Sequence, residues 1–504
     1  MRLTNRFVFF ILIASYFLFQ ALFLTSVTKV WMDESWYANV SYNFVQGNGL
    51  VDTVAQDSTP WVTFFYPFIM GLFFKVFGTT VWMGRFVSVL AGSIALAGFF
   101  QIQRLWKIKP LIILVTGILF IISNVYYVVF RTIRPEAWCV AFAIWGFFFL
   151  ARGAQKNRST DFMLSALLTS FGVMCHLNGV LYALLYGLFV FGYSYRNKKV
   201  GFAVGYAGIG VMCGLAWLAY YTILCKSNLM DFLTGTASAR TIAGEDSMLN
   251  AVWHAFETFA FNYSLGLKRV FIFVFEIGVL VAGLSFWKRD RRLFFTALNG
   301  LLFFLIALVF FQPFATRHFG EVLFFVLLTV SLLLQQVDLP KLILAGVCLM
   351  VTLYGLNNLA GTAYLVFRDC RNTSFYKITA ELEQQIPAGA KVISLMPFWF
   401  GLMDTDFYSE STRWSQKGYE SLNAFLLCGE PDYVILSPYL LEGKTGTSGR
   451  KELTSSASKL RAFYEQTRDF SKKNGSIVSV VETKGYDRIE IWKINACIDT
   501  SQQP

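Results

Sequence analysis

The sequence predicts an all-α polytopic membrane domain of about eleven transmembrane helices over residues 1–365, followed by a small extracytoplasmic α/β domain over 366–504. Three observations carry this expectation. Hydrophobic residues make up 56% of the 504-residue chain and charged residues only 15%, far below the ~25% usual for soluble domains. Apolar stretches of membrane-crossing or nearly membrane-crossing length recur along the first 360 residues. From about Arg368 the composition then shifts abruptly to that of a soluble domain.

The first apolar stretch, 7–25, has a basic flank in Arg2 and Arg6. It is longer than a signal-peptide core and no small-x-small cleavage site follows, so it is expected to be a retained span. Segment 26–80 contains Trp36 to Val45 and Trp61 to Phe77, two partly amphipathic runs predicted as helices lying in the membrane interface. Further spans are predicted at 81–101, 110–130, 136–151, 162–176, 179–194, 201–224, 269–287, 293–312, 319–335 and 342–360. Basic clusters alternate between them: Arg104/Lys107/Lys109, Arg152/Lys156/Arg158, Arg196/Lys198/Lys199 and Lys288/Arg289/Arg291/Arg292. Positive residues are retained in the cytoplasm, so these loops are predicted cytoplasmic. Segments 26–80, 131–135, 225–268 and 312–318, the turn at His176 and everything after 361 are then predicted outside.

Beyond the last span, Ser374 to Gln385 reads as a helix ended by Pro387-Ala388-Gly389. Lys391 to Leu395 and Asp432 to Leu436 read as buried strands. Ser455 to Phe470 reads as a helix, and Ile477 to Val481 with Arg488 to Ile494 as an antiparallel pair. No internal repeat is found.

The formal charge of +12 lies in short clusters between apolar runs, which argues for membrane topology rather than for nucleic acid as partner. Eight cysteines form no CxxC or Cys/His pattern, so neither a disulfide framework nor a metal site is expected.

Asp33 and Glu34 stand side by side just beyond the first span, in Trp31-Met32-Asp33-Glu34-Ser35-Trp36-Tyr37. Two carboxylates at the mouth of a span are costly to leave half-desolvated. Acid/base chemistry at the outer surface is one reason for them; Asp33 capping a helix that begins near Trp36 is the other. Other ionisable residues are predicted at the same membrane face. They are Arg85, Arg131, Arg134, Glu136, His176, Arg317 and His318. Arginines there suit the forked recognition of phosphate oxygens on an anionic, lipid-borne substrate. Each also has a plainer reading: Arg85 as a snorkelling side chain, Arg131 as an interfacial anchor, Glu136 as a cap or arginine partner, and His176 as a turn residue with Asn178-Gly179 making the bend.

These residues bring a resemblance with them. Asp33-Glu34 after the first span resembles the Asp-Glu motif in the first outer loop of GT-C-fold glycosyltransferases. The resemblance is nearest to the superfamily of protein O-mannosyltransferases and lipid A aminoarabinose transferases. Arg85-Phe86-Val87-Ser88 with Gly92, Arg134-Pro135-Glu136-Ala137, His176-Leu177-Asn178-Gly179 and Arg317-His318-Phe319 extend it in order. Thr59-Pro60-Trp61 to Tyr66-Pro67 looks like a degraded form of that superfamily's proline-rich segment.

The resemblance implies an inverting glycosyltransferase. It would use a polyprenyl-phosphate sugar donor and a lipid, glycan or protein acceptor, on the periplasmic side of a bacterial inner membrane. It implies Asp33 as general base and Glu34 as its catalytic neighbour. Arg85, Arg134 and Arg317 would bind the donor phosphate, and Glu136, His176, Asn178 and His318 the substrates. No cofactor is required by this scheme, although the resemblance leaves a divalent cation open. The rival readings are a transporter or lipid-sugar flippase, and a scaffold. A flippase would favour charges at mid-membrane depth and duplicated halves.

Overall fold

The computed structural model describes residues 5–55, 63–220, 222, 253, 270–310, 316–336, 340–428, 431–442 and 455–495. The chain forms two compact units. The first comprises Met1–Leu22, Trp61–Tyr66 and Phe86–Tyr364; the second comprises Phe23–Pro60, Pro67–Arg85 and Leu365–Pro504.

The first unit is helical. Its elements are α1 (Asn5–Ala21), α4 (Val81–Leu105, whose first turn belongs to the second unit), α5 (Pro110–Ile122), α6 (Asn124–Val129), α7 (Glu136–Lys156), α8 (Ser159–Cys175), α9 (Gly179–Arg196), α10 (Val200–Ala219), α11 (Val270–Leu284), α12 (Arg291–Phe310), α13 (Gly320–Gln335) and most of α14 (Lys341–Asp369). Every predicted span holds a helix. Five helices (α4, α7, α10, α12 and α14) are long and apolar enough to cross a membrane; several others are shorter apolar helices. The chain is a multi-pass membrane protein.

The predicted span 110–130 is broken at Ser123, whose side chain accepts a hydrogen bond from Tyr126 N at 3.4 Å and caps α6. Asn157 ends α7 in the left-handed region, with φ of 54°. The centre of the unit is α13, buried from Gly320 through Leu333. A helix apolar on all sides is expected to be enclosed in this way. Polar contacts tie it to its neighbours: Gln103 Nε2 donates to Thr116 Oγ1 and to Ser331 Oγ, both at 2.7 Å. On α10, by contrast, Val204, Val211, Met212 and Leu215 are exposed. Such a surface suits lipid, which is as apolar as the side chains themselves.

The second unit contains α2 (Met32–Val45), most of α3 (Phe65–Phe77) and the C-terminal region. There, α15 (Phe375–Gln385) and α16 (Ser455–Asn474) accompany β1 (Lys391–Ile393), β2 (Asp406–Tyr408), β3 (Tyr433–Leu436), β4 (Gly475–Glu482) and β5 (Arg488–Ile494). The sheet order is β2-β1-β3-β5-β4. Strand β1 pairs in parallel with β2 and β3, while β5 is antiparallel to β3 and β4. The predicted helices and the closing hairpin are all found; β2 is an addition. Its core includes Phe375, Ile378, Leu382, Val392, Val434, Ile489 and Ile491, all buried.

Candidate functional site

Two groups of the predicted residues fall in different units, and each is described by itself. In the second unit, α2 begins at Met32 with Trp31 as its N-cap residue. Asp33 is therefore inside the first turn, not at the cap, which corrects the capping alternative. The helix starts four residues earlier than Trp36 because Glu34, at the third helical position, reaches back to accept the Trp31 N–H at 3.1 Å. That is the acidic half of a capping arrangement.

Glu34 is 1% exposed and Arg85, in the first turns of α4, is 0% exposed. They form a forked pair: Arg85 Nε donates to Glu34 Oε2 at 2.9 Å and Nη2 to Oε1 at 2.8 Å. The third guanidinium nitrogen, Nη1, donates to Leu24 O at 2.8 Å and Thr28 O at 2.9 Å. Arg85 thus fastens the segment entering α2 to the start of α4. Snorkelling to an interface is excluded by this complete burial. Its donors are directed at Glu34 and backbone carbonyls rather than at an open cavity.

The same loop is held from the C-terminal region. Tyr486 Oη accepts the Val30 N–H at 2.8 Å, Tyr439 Oη donates to Val30 O at 3.2 Å, and Ser35 Oγ donates to Pro397 O at 3.3 Å. Burial pushes the Tyr486 phenol well above its usual range, against the opposing pull of Arg85. Burial likewise raises Tyr439. Both hydroxyls therefore keep their protons. Trp36 Nε1 donates to Asp52 Oδ2, whose other oxygen accepts Val54 N and Ala55 N, each at 3.0 Å. Asp33 alone of the acidic pair is partly exposed.

In the first unit, Arg134 and Glu136 bracket Pro135 at the start of α7. Arg134 Nε lies 3.0 and 3.2 Å from the two Glu136 oxygens, and Nη2 lies 2.9 Å from Oε1. Glu136 is buried, and Arg134 is 11% exposed. Of the two readings for Glu136, the arginine partner is the one the geometry shows. Arg131 is buried, with Nη2 donating to Leu22 O at 2.9 Å and its guanidinium 4.3 Å from the Tyr127 ring centroid.

A second cluster gathers at the turn between α8 and α9. His176 ends α8, and Asn178 immediately precedes α9. Asn178 Nδ2 donates to Glu321 Oε1 and Oε2 at 3.1 and 3.2 Å, and lies 3.3 Å from His318 Nδ1. His176 Nδ1 lies 3.3 Å from Asn178 N and 4.0 Å from Glu321 Oε1. One nitrogen cannot accept from the first and donate to the second, so the shorter contact is the hydrogen bond. Tyr182 Oη donates to Glu321 O. The structure thus joins His176, His318 and Glu321 through Asn178, and Glu321 is a residue not singled out from sequence. Its signal was present: Glu321 is the one charged residue in the mainly apolar α13, and a fully buried carboxylate needs partners.

Gly179 makes this turn possible by close approach rather than by a left-handed backbone. A Cβ there would lie 2.6 Å from Val173 N and 2.7 Å from Gly172 C. Arg317 belongs to a 3₁₀ turn, Thr316–Phe319, but its side chain lies outside the described residues, as does the predicted segment 225–268 apart from position 253. Among the described residues, no group of three or more His, Cys, Asp or Glu is arranged to hold a metal ion.

Comparison with known proteins follows this geometry. A family model described as dolichyl-phosphate-mannose-protein mannosyltransferase matches residues 60–220. Comparison with curated proteins gives no match. Among solved structures, the chain is similar to ArnT from Cupriavidus metallidurans bound to undecaprenyl phosphate. The TM-score is 0.65 at 11% identity, covering 97% of this chain and 98% of that one. The apo form of the same protein aligns with a TM-score of 0.58 at 11% identity, covering 96% and 97%. The Archaeoglobus fulgidus oligosaccharyltransferase tethered to an acceptor peptide aligns with a TM-score of 0.53 at 10% identity, covering 94% of this chain and 72% of that one. The fold of this chain is therefore that of the GT-C glycosyltransferases, end to end with ArnT.

Proposed function

We propose that the protein is a membrane glycosyltransferase. It moves a sugar from a polyprenyl-phosphate donor to an acceptor hydroxyl on the extracytoplasmic face, with inversion and with Asp33 as general base. The observation that carries this reading is the division of labour in the acidic pair. Glu34 is locked in a buried fork with Arg85, while its neighbour Asp33 is the partly exposed carboxylate on the same helix turn. A single displacement needs only one base. The fold supports a donor of this class, since ArnT with the same architecture is solved with undecaprenyl phosphate.

In the proposed reaction Asp33 takes the proton of the acceptor hydroxyl. The acceptor oxygen bonds to the anomeric carbon as the bond from that carbon to the phosphate oxygen breaks. The electron pair leaves with the polyprenyl phosphate, so the leaving group needs positive charge rather than an acid. Arg134 and Arg317 are assigned that charge by the resemblance. Glu34 and Arg85 are positioning residues that hold the loop bearing Asp33. The acid–imidazole cluster of His176, Asn178, His318 and Glu321 is assigned to substrate binding.

The test is Asp33→Asn in purified protein supplied with polyprenyl-phosphate sugars, with release of polyprenyl phosphate as readout. Asn keeps the size and loses the proton acceptor, so transfer should fall ~10²–10⁴-fold while the unfolding temperature holds. Transfer near the wild-type rate would remove Asp33 from the chemistry.

A further inference from the structure

The first unit contains a cavity of about 790 Å³ at the opposite ends of the helices from the His176 turn. It is walled by Phe147, Leu150, Leu185, Leu188 and Phe295, and Arg196, Arg291 and Arg292 stand among its lining residues. The size lies within the ~300–1,000 Å³ of ordinary ligand sites. Its lining runs along α9 from Leu185 to Arg196 and along α12 from Arg291 to Leu302. Eleven helical residues rise ~16 Å, about half of a ~30 Å hydrocarbon core. The cavity is thus one leaflet deep, mainly apolar along its length with Thr296 and Asn299 also in its wall, and basic at one end.

The three arginines differ. Arg292 is paired with Asp290, with Nη2 2.8 Å from Oδ2. Arg196 and Arg291 are exposed. Among the described residues they make no hydrogen bond or ion pair. Two unneutralised cations over an apolar shaft match one chemical class: an amphiphile with an anionic head. These arginines also belong to the clusters that the positive-inside rule puts in the cytoplasm, where anionic lipids and basic side chains meet.

We propose that this cavity binds one anionic glycerophospholipid of the cytoplasmic leaflet, its phosphate held by Arg196 and Arg291 and an acyl chain lying against Leu185, Leu188 and Phe295. The site is separate from the proposed chemistry and does not depend on it.

Two kinds of variant separate head from tail. Arg196→Gln with Arg291→Gln removes the charge. Gly192→Phe fills the shaft, since a Cβ on Gly192, itself a lining residue, meets nothing within 4 Å. Binding is read by native mass spectrometry of the full-length protein titrated with phosphatidylglycerol or phosphatidylcholine. Wild type should bind one phosphatidylglycerol in preference to phosphatidylcholine. Affinity should fall about fivefold per arginine and about thirtyfold for the pair, and Gly192→Phe should weaken both lipids. Unchanged binding in either variant, equal affinity for phosphatidylcholine, or full competition by inorganic phosphate would overturn the site. Identification of the co-purifying occupant as a polyprenyl phosphate would overturn the glycerophospholipid assignment.

Discussion

The adjacent acids Asp33 and Glu34 take different environments because successive residues of a helix are turned by about 100°. Glu34 points to Arg85 and the Trp31 amide and is buried, while Asp33 is partly exposed. That difference was not legible in sequence, where Asp33 and Glu34 both read as catalytic and Arg85 as either a phosphate-binding or a snorkelling residue. Only folding shows that Arg85 spends its donors on Glu34 and on the carbonyls of Leu24 and Thr28. A stability prediction follows. Glu34→Gln leaves the Arg85 charge buried without its counter-ion, and breaking such a pair costs roughly 3–5 kcal/mol. The detergent-solubilised variant should unfold at a markedly lower temperature, whereas Asp33→Asn should not. Replacing both partners together, with Glu34→Met and Arg85→Met, should recover much of the loss, because a buried pair is seldom better than a packed apolar one. If Glu34→Gln unfolds with the wild type yet loses transfer, Glu34 belongs to the chemistry and not to the frame.

Between elements, most of the fold was readable and the exceptions have physical causes. Hydropathy located the helices because long apolar runs have few other fates. The hairpin of β4 and β5 was readable from the Lys484-Gly485-Tyr486 turn between two strand-like runs. Strand β2 was not, since Asp406-Phe407-Tyr408 lacks the β-branched pair, Val392-Ile393, that marked the equally short β1. Nor was the interruption at Ser123, where a polar side chain caps a short helix inside an apolar stretch. The α8–α9 turn was read either as carrying substrate-binding His176 and Asn178 or as a bend made by Asn178-Gly179; the structure gives the two residues of the bend separate tasks, Asn178 bonding Glu321 and Gly179 admitting the α8 backbone. Gly179→Ala should therefore destabilise by ~1–3 kcal/mol, since the neighbours are main-chain atoms with nowhere to move. It should also displace Asn178 and so weaken the substrate binding proposed for it. Gly192→Ala, in the same helix with open space around it, should be neutral or stabilising by up to ~1 kcal/mol. Thermal unfolding of the two variants side by side measures the contrast, and equal effects would refute the close-approach account of Gly179.

For the whole molecule, orientation decides where the chemistry can occur. The basic residues Arg104, Lys156 and Arg196 close α4, α7 and α9, and Arg291 opens α12. If these ends are cytoplasmic, the segments 26–80 and 366–504 are both outside, along with Asp33. Cysteine labelling with a membrane-impermeant reagent in a cysteine-free background tests this. Reporter positions have to be exposed, and Ser35, adjacent to the acids, is buried. Asn48 and Ser476 are exposed in the second unit, and Lys156 and Lys288 are exposed at the basic ends. Asn48→Cys and Ser476→Cys should label in intact cells, while Lys156→Cys and Lys288→Cys should label only after permeabilisation. The reverse pattern would place Asp33 with the cytoplasm and remove the extracytoplasmic reaction. It would also move Arg196 and Arg291 of the α9–α12 cavity to the outer leaflet. Labelling of Asn48 without Ser476 would separate the acidic loop from the C-terminal sheet across the membrane. The Val30 N–H to Tyr486 Oη bond forbids that within one folded chain, so the two outer reporters must agree whichever way the protein is inserted.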